Sequence, residues 1–212
     1  MPDADAQPVD AGPFGKWLAA MRAVLRGDRD ADVPCGNCIG CCVSSYPIPL
    51  RPEDVRARAE VPEAFLLGRT GSGERWLMGF REDGRCPFMN ERKCGIYADR
   101  PQTCRDYDCR IYAAAGVVPD GERPVIEQRV REWVFTFESD AQRAEAAAVR
   151  RAARFVRANA ALFPASVRAG SATAAAVLAV KAYPVFMAEV AAPPEQLVRR
   201  MLELVREFDA AQ

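Results

Sequence analysis

The chain has 212 residues, enough for one domain with a hydrophobic core or for one domain with a helical extension. Half of its residues are hydrophobic, which excludes a disordered chain, and 29 basic residues balance 29 acidic ones, which gives no reason to expect nucleic acid or a membrane as a partner. It has eight cysteines and no histidine, which excludes Ser-His-Asp catalysis, Cys/His zinc sites, Rieske centres and His-ligated haem.

The sequence contains no segment typical of export or of a membrane span. Its N-terminus is polar and acidic, without the basic start and apolar stretch of a signal peptide. The most apolar later segment, residues 172–192, contains Lys181, Pro184 and Glu189, which disfavour a membrane span. We therefore expect a cytoplasmic protein. Because thiols stay reduced in that compartment, the cysteines favour metal binding over disulfides.

The first residues predict a disordered tail followed by an amphipathic helix. The tail covers residues 1–13, which are polar and acidic. Between residues 14 and 26, apolar residues recur at helical spacing, and Gly27 is typical of a helix C-terminus. We expect this helix to be part of a cysteine-cluster metal-binding domain over residues 14–116.

Regular structure should be sparse in the segment that contains all eight cysteines, residues 35–109. This segment is rich in Gly, Pro, Asn and Asp, which suits a fold organised by metal ligation. Short helices are expected to open at Pro52 and at Pro62. Residues 76–80 predict a strand, and Asp83-Gly84 predicts a turn.

Residues 117–212 predict a mainly helical region packed on the metal-binding domain. A helix over residues 125–131 and an aromatic strand over residues 133–137 come first. The predicted fold class is therefore α+β, with a small cysteine-rich, metal-organised core containing short strands, followed by a helical C-terminal part.

Three further helices are expected in the C-terminal part. Ser139 is the predicted N-cap of a long helix that ends at about Leu162. Ser171 is the predicted N-cap of a second helix, which Pro184 should kink or break. Pro193 begins a third helix, whose apolar face carries Leu197, Met201, Leu204, Val205 and Phe208.

The cysteines form two groups, with Cys35, Cys38, Cys41 and Cys42 in the first and Cys86, Cys94, Cys104 and Cys109 in the second. Two CxxC steps in tandem let the chain curl so that its sulfurs face one centre. Adjacent side chains point to opposite sides of an extended chain and about 100° apart in a helix, so Cys41 and Cys42 can reach a single ion only with difficulty.

Two arrangements of the thiols are open. In the first, Cys35, Cys38 and one of the adjacent pair share a site with one late cysteine, and the remaining early cysteine joins the other three late ones. In the second, a single four-cysteine site leaves four thiols spare. Core packing of isolated cysteines does not explain so many within one segment. Tetrahedral thiolate sites suit zinc and iron–sulfur clusters alike.

The pattern continues beyond the first group as Cys86-Pro87-Phe88, Cys94-Gly95-Ile96-Tyr97 and Arg100-Pro101-x-x-Cys104-Arg105. With the CxxCxxCC run, it resembles the CxxCxxCC (YkgJ-type) family of zinc- or iron-chelating, iron–sulfur-cluster proteins over roughly residues 33–112. The resemblance implies that all eight cysteines are metal and cofactor ligands. A related pattern occurs in flagellin lysine N-methylases, but this chain lacks a GxGxxG loop and the CxxxCxxC of radical enzymes, so no methylase reaction carries over.

Groups beside the thiolates should stabilise their concentrated negative charge. Arg105 is the first candidate for such a cation and Arg100 the next, although either could be a surface arginine paired with an aspartate. Tyr97 could donate to a sulfur, but packing is the favoured interpretation. Asp106 and Asp108 beside two arginines indicate a salt-bridge network more than general bases, so no catalytic residue is predicted.

Several functions are compatible with this sequence. The first is an iron–sulfur protein, for which a 4Fe–4S cluster is typical, with a redox or supporting role; Cys86-Pro87 is similar to the Cys-Pro step of bacterial ferredoxins. The alternatives are a zinc-binding module whose C-terminal helices bind a protein partner, and a metal-handling protein with exchangeable thiolates. A protein-modifying enzyme related to lysine N-methylases is the most distant interpretation.

Overall fold

The computed structural model of the protein describes residues 7–69, 76–121, 124–167, 169–188 and 192–211, except for the side chains of residues 68 and 69. The described helices are α1 (Phe14–Arg26), α2 (Val55–Glu60), α3 (Gln102–Asp106), α4 (Arg110–Ala115), α5 (Pro124–Glu132), α6 (Asp140–Ala158), α7 (Ala172–Ala182) and α8 (Pro194–Ala210). The described strands are β1 (Val9–Pro13), β2 (Ile48–Leu50), β3 (Leu66–Arg69), β4 (Trp76–Met78), β5 (Met89–Asn90), β6 (Lys93–Cys94) and β7 (Trp133–Thr136). Helices with short strands make the predicted α+β fold.

The chain divides into two compact units, and the division differs from the expected boundary near residue 116. One unit, here the helical unit, combines residues 1–29 with residues 108–212. The other, here the cysteine unit, spans residues 30–107. The N-terminal helix α1 lies in the helical unit, not with most of the cysteines, because its apolar face packs against β1, α6 and α7.

Part of the predicted disordered tail is an ordered strand. Residues 9–13 form β1, which pairs in parallel with β7 so that Val9 lies opposite Trp133. Ala11 is buried, and the Phe14 ring that follows contacts Phe135 at a centroid distance of 5.3 Å. The segment VDAGP has little intrinsic strand propensity. Pairing with a distant strand and burial order it, so the tail prediction is wrong for these residues; residues 1–6 lie outside the described part.

The helix caps are those that the sequence predicts. The Ser139 hydroxyl accepts from the Gln142 N–H at the start of α6, and the Ser171 hydroxyl accepts from the Ala174 N–H at the start of α7. These bonds satisfy N–H groups that have no partner inside the helix. Helix α6 ends at Ala158, a little before the expected Leu162, and residues 160–162 continue as a 3₁₀ turn.

Small side chains build the core between α6 and α7. Ala152 and Val156 on α6 and Ala176 and Val180 on α7 are fully buried. Alanines let two helices approach closely, so their backbones and methyl groups can pack tightly. None of the described helices is both long and apolar enough to cross a bilayer.

The ends of α1, α7 and α8 follow the predicted pattern, whereas Leu204 and Val205 of the predicted face of α8 are only half-buried. Helix α1 ends at Gly27, whose φ of 83° lies in the left-handed region. Helix α7 ends before Pro184, as expected. Helix α8 begins after Pro193 and buries Leu197, Val198, Met201 and Phe208 on its apolar face.

The cysteine unit has short strands and a small apolar core. Strand β4 lies between β2 and β3 in an antiparallel sheet, and β5 pairs with β6 in a hairpin. Leu50, Val61 and Met78 form the buried core cluster of this sheet. Partly buried side chains pack against the cluster, and Cys86 and Phe88 are among them. The second cysteine group thus begins at the edge of the apolar core.

Candidate metal centre

The first cysteine group lies in a loop that curls back on itself. Gly36 has a φ of 55°, in the left-handed region that favours glycine, and it turns the chain between Cys35 and Cys38. The Cys38 N–H donates to the Cys35 carbonyl at 2.9 Å, and the Gly40 N–H donates to the Cys38 sulfur at 3.4 Å. An N–H group that donates to sulfur stabilises the thiolate form that binds metal.

The adjacent cysteines have different surroundings. Both lie in the 3₁₀ turn Gly40–Val43, where Cys41 is exposed and Cys42 is half-buried. Burial raises the pKa of the Cys42 thiol to about 11, with smaller contributions from the charges of Cys86, Cys94, Cys38 and Cys35. The sequence alone could not tell which of the two thiols faces the other cysteines, and the structure identifies Cys42.

The late cysteines of the cysteine unit come from three separate segments. Cys86 follows the turn after β4, Cys94 ends β6, and Cys104 lies in α3. Burial raises the pKa of the Cys104 thiol to about 12, and the charges of the neighbouring thiols Cys86, Cys42 and Cys94 act in the same direction. Burial is also the largest cause that raises the pKa of the Cys86 thiol, and the charge of Cys94 adds to it.

Four thiols therefore form one electrostatic group, which we call the four-thiol group: Cys42, Cys86, Cys94 and Cys104. Each of its six pairs interacts electrostatically. The backbone also joins two of its segments, because the Cys86 N–H donates to the Cys42 carbonyl at 2.7 Å. Thiolates at these positions would repel one another and would lose hydration by burial. A bound cation would offset this cost by neutralising their negative charge.

Donors and cations lie beside the four-thiol group. The Met89 N–H donates to the Cys86 carbonyl at 3.0 Å, and the backbone N–H groups of Phe88 and Met89 and the guanidinium of Arg81 all lower the pKa of the Cys86 thiol. The guanidinium of Arg100 acts on Cys104. Each of these contacts lowers the pKa of its thiol against the effect of burial, so each favours the thiolate. Sequence analysis missed Arg81, although its position before the predicted Asp83-Gly84 turn was a signal.

Of the three residues predicted to lie beside the thiolates, Arg100 does so, whereas Arg105 and Tyr97 make other contacts. Arg100 interacts with Cys104, as a cation beside a thiolate should. The Arg105 guanidinium instead binds the carbonyls of Arg100 and Ala98 and the carboxylate of Asp30. Tyr97 is 65% exposed, with the Arg100 guanidinium 4.1 Å from its ring centroid, so its ring does not pack in the core as we expected.

Cys109 belongs to the helical unit. It is 7% exposed and directly precedes α4, and the indole N–H of Trp133 donates to its sulfur at 3.2 Å. The other seven cysteines lie in the cysteine unit. The role of Cys109 as a metal ligand therefore stays a prediction from the sequence.

The two aspartates at the end of the cysteine segment are engaged in ion pairs. Asp106 accepts from Arg51, and the buried Asp108 accepts from Arg110 at 2.8 Å. The indole N–H of Trp17 also donates to Asp108, at 3.0 Å. These contacts agree with the salt-bridge interpretation, because each carboxylate is engaged by a guanidinium.

The residues present fit a thiolate-bound metal or cluster by their chemistry. The group offers four soft sulfur ligands, which select zinc or iron–sulfur centres and exclude magnesium and calcium. N–H donors and cations around it supply the surroundings that such centres use. Within the described residues, no three cysteine, aspartate or glutamate side chains stand in a ready-made metal-holding arrangement.

Comparison with known proteins identifies the same segment. Residues 34–126 match the model of the CxxCxxCC family, which is described as a "putative zinc- or iron-chelating domain". The matched segment contains all eight cysteines. No curated protein and no solved structure matches the chain significantly.

Proposed function

We propose that this chain, whose residues 34–126 match a zinc- or iron-chelating cysteine domain, carries an iron–sulfur centre on the four-thiol group. One observation carries the proposal: thiols from four separate segments, Cys42, Cys86, Cys94 and Cys104, all interact with one another. Four thiolates are the ligand set of cubane and binuclear iron–sulfur clusters. When bound, such a centre supplies one-electron transfer.

The protein groups around the sulfurs support a redox role. The backbone of Phe88 and Met89 and the positive charges of Arg81 and Arg100 lower the pKa of Cys86 and Cys104, so they offset part of the negative charge of these thiolates. Hydrogen bonds and charges of this kind raise the reduction potential of a thiolate-bound centre, because reduction adds a further electron to it. All four cysteines of the group are half-buried, and Cys86 packs against the apolar cluster of Leu50, Val61 and Met78.

A structural zinc site is the second candidate, and the small core favours it. Two small sheets and a buried apolar cluster of three side chains, with a few other buried residues such as Ala57 and Met89, form the core of the described part of the cysteine unit. A metal that joins four segments would replace part of a hydrophobic core, as zinc does in small domains. Both candidates use the four-thiol group, so the ligands do not distinguish them.

The two candidates differ in colour and sulfide. We expect anaerobically purified protein to contain iron and acid-labile sulfide in near-equal amounts, with broad visible absorption that bleaches on reduction. Zinc without sulfide or colour would overturn the iron–sulfur proposal and support the structural site.

Serine replacement of Cys42, Cys86, Cys94 or Cys104 should remove the bound metal. Cys41→Ser is the matched control and should retain it, because Cys41 is exposed and is not among the thiols that act on Cys42.

Other roles stay predictions. Cys35 and Cys38 act on Cys42 electrostatically, so a second site built on the CxxC steps is compatible with the geometry. A protein-modifying enzyme would need an open coordination position, which a centre with four thiolates does not offer. A protein partner that binds the C-terminal helices and a cytoplasmic location are proposals from the sequence alone.

A further inference from the structure

The helix that carries Cys104 is too short to be stable by itself. Helix α3 has five residues, Gln102–Asp106. The N–H groups of a first helical turn have no partner inside the helix, and a single turn gains little from its own hydrogen bonds. Pro101 directly precedes α3 and has no side-chain acceptor with which to cap it. The position of Cys104 therefore depends on bonds from other segments.

A carboxylate from a distant segment supplies the cap. The Gln102 N–H at the start of α3 donates to Asp54 Oδ1 at 2.8 Å, and the Arg51 N–H donates to Asp54 Oδ2, also at 2.8 Å. Bonds from N–H groups to a charged acceptor are stronger than bonds between neutral groups. Although Asp54 directly precedes α2, the described residues show no cap bond from its side chain to that helix. Its carboxylate instead joins the turn after β2 to the start of α3.

The same segment holds α3 at two further points. The Thr103 hydroxyl donates to the Pro49 carbonyl at 2.7 Å, and the Arg51 guanidinium pairs with Asp106 at the end of α3. Pro49 belongs to β2, which pairs with β4 in the sheet of the cysteine unit. Bonds on both sides of Cys104 therefore tie its helix to the sheet.

We propose that Asp54 is a positioning residue that holds the helix of Cys104 against the sheet, where the Cys104 sulfur can join the metal centre. Its bond to Gln102 is partly buried, whereas the bonds of Thr103 and Asp106 are exposed, so water competes least with the bond from Asp54. The inference rests on the proposed function, because it requires Cys104 to be a ligand. A group that orients a ligand in advance strengthens metal binding without touching the metal.

The neighbouring acid provides a matched control. Glu53 carries the same charge in the same turn, and its side chain is exposed. A Glu53→Ala variant removes this charge and leaves both bonds of Asp54 in place. An effect of net charge alone would appear in Glu53→Ala and in Asp54→Ala alike, whereas an effect through α3 would appear only in Asp54→Ala.

The first measurement is amide hydrogen exchange by NMR on the metal-free full chain, with the amides of β4 as the internal reference. Relative to that reference, the Gln102 N–H should exchange about tenfold faster in Asp54→Ala than in wild type, because it loses a charged acceptor. Glu53→Ala should stay within about twofold of wild type. Asp54→Asn keeps one acceptor oxygen and should give a smaller increase, about threefold. If Asp54→Ala does not fold by circular dichroism, Asp54→Asn takes its place.

The second measurement is the rate at which zinc-loaded protein transfers Zn²⁺ to a chromophoric chelator. Asp54→Ala should release zinc about tenfold faster than wild type, and Glu53→Ala should not. Equal release from the two variants, or a rise in Gln102 exchange no larger than that of the β4 amides, would overturn the role of Asp54 alone. Wild-type protein that bound neither zinc nor iron would refute the metal centre itself, while Gln102 exchange would still show whether Asp54 caps α3.

Discussion

At the residue scale, the cysteines of the metal-free protein should differ widely in reactivity. The pKa of Cys42 is about 11 where an ordinary thiol has 9.0, so at pH 8 its thiolate fraction is lower by about a hundredfold. Cys104, with a pKa of about 12, ionises even less. Because the thiolate is the nucleophile, iodoacetamide should label the exposed Cys41 well before Cys42 or Cys104.

Peptide mass spectrometry of metal-free, reduced protein at several pH values would test this order. Because the pKa values are raised, labelling of Cys42 and Cys104 should increase as the pH rises from about 9 toward about 11 or 12. Protein labelled in 6 M urea is the control, since unfolding should make all the rates similar. Labelling of Cys104 as fast as that of Cys41 in folded protein would contradict the burial of the four-thiol group.

The sequence identified the cysteines as candidate ligands, but it did not show which of them lie together. Spacing alone showed that Cys41 and Cys42 would diverge, because adjacent side chains cannot face one point. It could not show which of them turns inward, since that depends on the pairing of the Cys42 carbonyl with the Cys86 N–H across 44 residues. Arg81 was missed for the same reason, because its contact with Pro87 forms only after the turn closes.

At the element scale, two serines offer a test of how the long helices begin. Ser139 Oγ accepts from the Gln142 N–H at 3.3 Å, and Ser171 Oγ accepts from the Ala174 N–H at 3.1 Å. Removing either hydroxyl leaves a helix N–H without its partner, so Ser139→Ala and Ser171→Ala should each lower the free energy of unfolding by about 1 kcal/mol.

Urea denaturation followed by far-UV circular dichroism would measure both changes. Glycine substitution at the same positions is a useful comparison, since Gly is nearly as good an N-cap and should cost only a few tenths of a kcal/mol. A loss in Ser139→Ala no larger than that in Ser139→Gly would mean that the cap does not stabilise α6.

Local signals explain why helices were predicted better than strands. Ser139, Ser171, Gly27 and Pro184 mark helix ends through their own backbone and side-chain chemistry, which a sequence displays directly. Strand β1 has no such signal, because Val9–Pro13 becomes a strand only when Trp133–Thr136 lies beside it. The sequence therefore predicted elements formed by neighbouring residues and missed those formed by distant ones.

At the scale of the whole molecule, the two units differ in what stabilises them. The helical unit buries large apolar side chains such as Phe14, Phe163 and Met201, together with the alanines between α6 and α7. Within the described residues, the buried apolar side chains of the cysteine unit are few and mostly small or medium in size: the cluster of Leu50, Val61 and Met78, with Ala57 and Met89 elsewhere. Burial of apolar area stabilises a fold by about 25 cal/mol per Å². So few buried side chains therefore compensate only a small part of the conformational entropy that the segment loses on folding.

Removing the metal should therefore destabilise the cysteine unit selectively, so that it opens to protease more often than the helical unit while most molecules stay folded. Without the metal, burial favours the neutral form of Cys42, Cys86 and Cys104, and the four segments lose the link that the metal would provide. Chelator-treated protein should be cleaved by a dilute protease within residues 30–107, and the fragment that starts near residue 108 should persist on a gel because its core lies within the helical unit. Cys104→Ser should give the same pattern without chelator, and Cys41→Ser should resemble the loaded wild type. Equal cleavage in both units would mean that their stabilities are coupled, and resistance of residues 30–107 after complete metal removal would mean that the small core suffices without a metal.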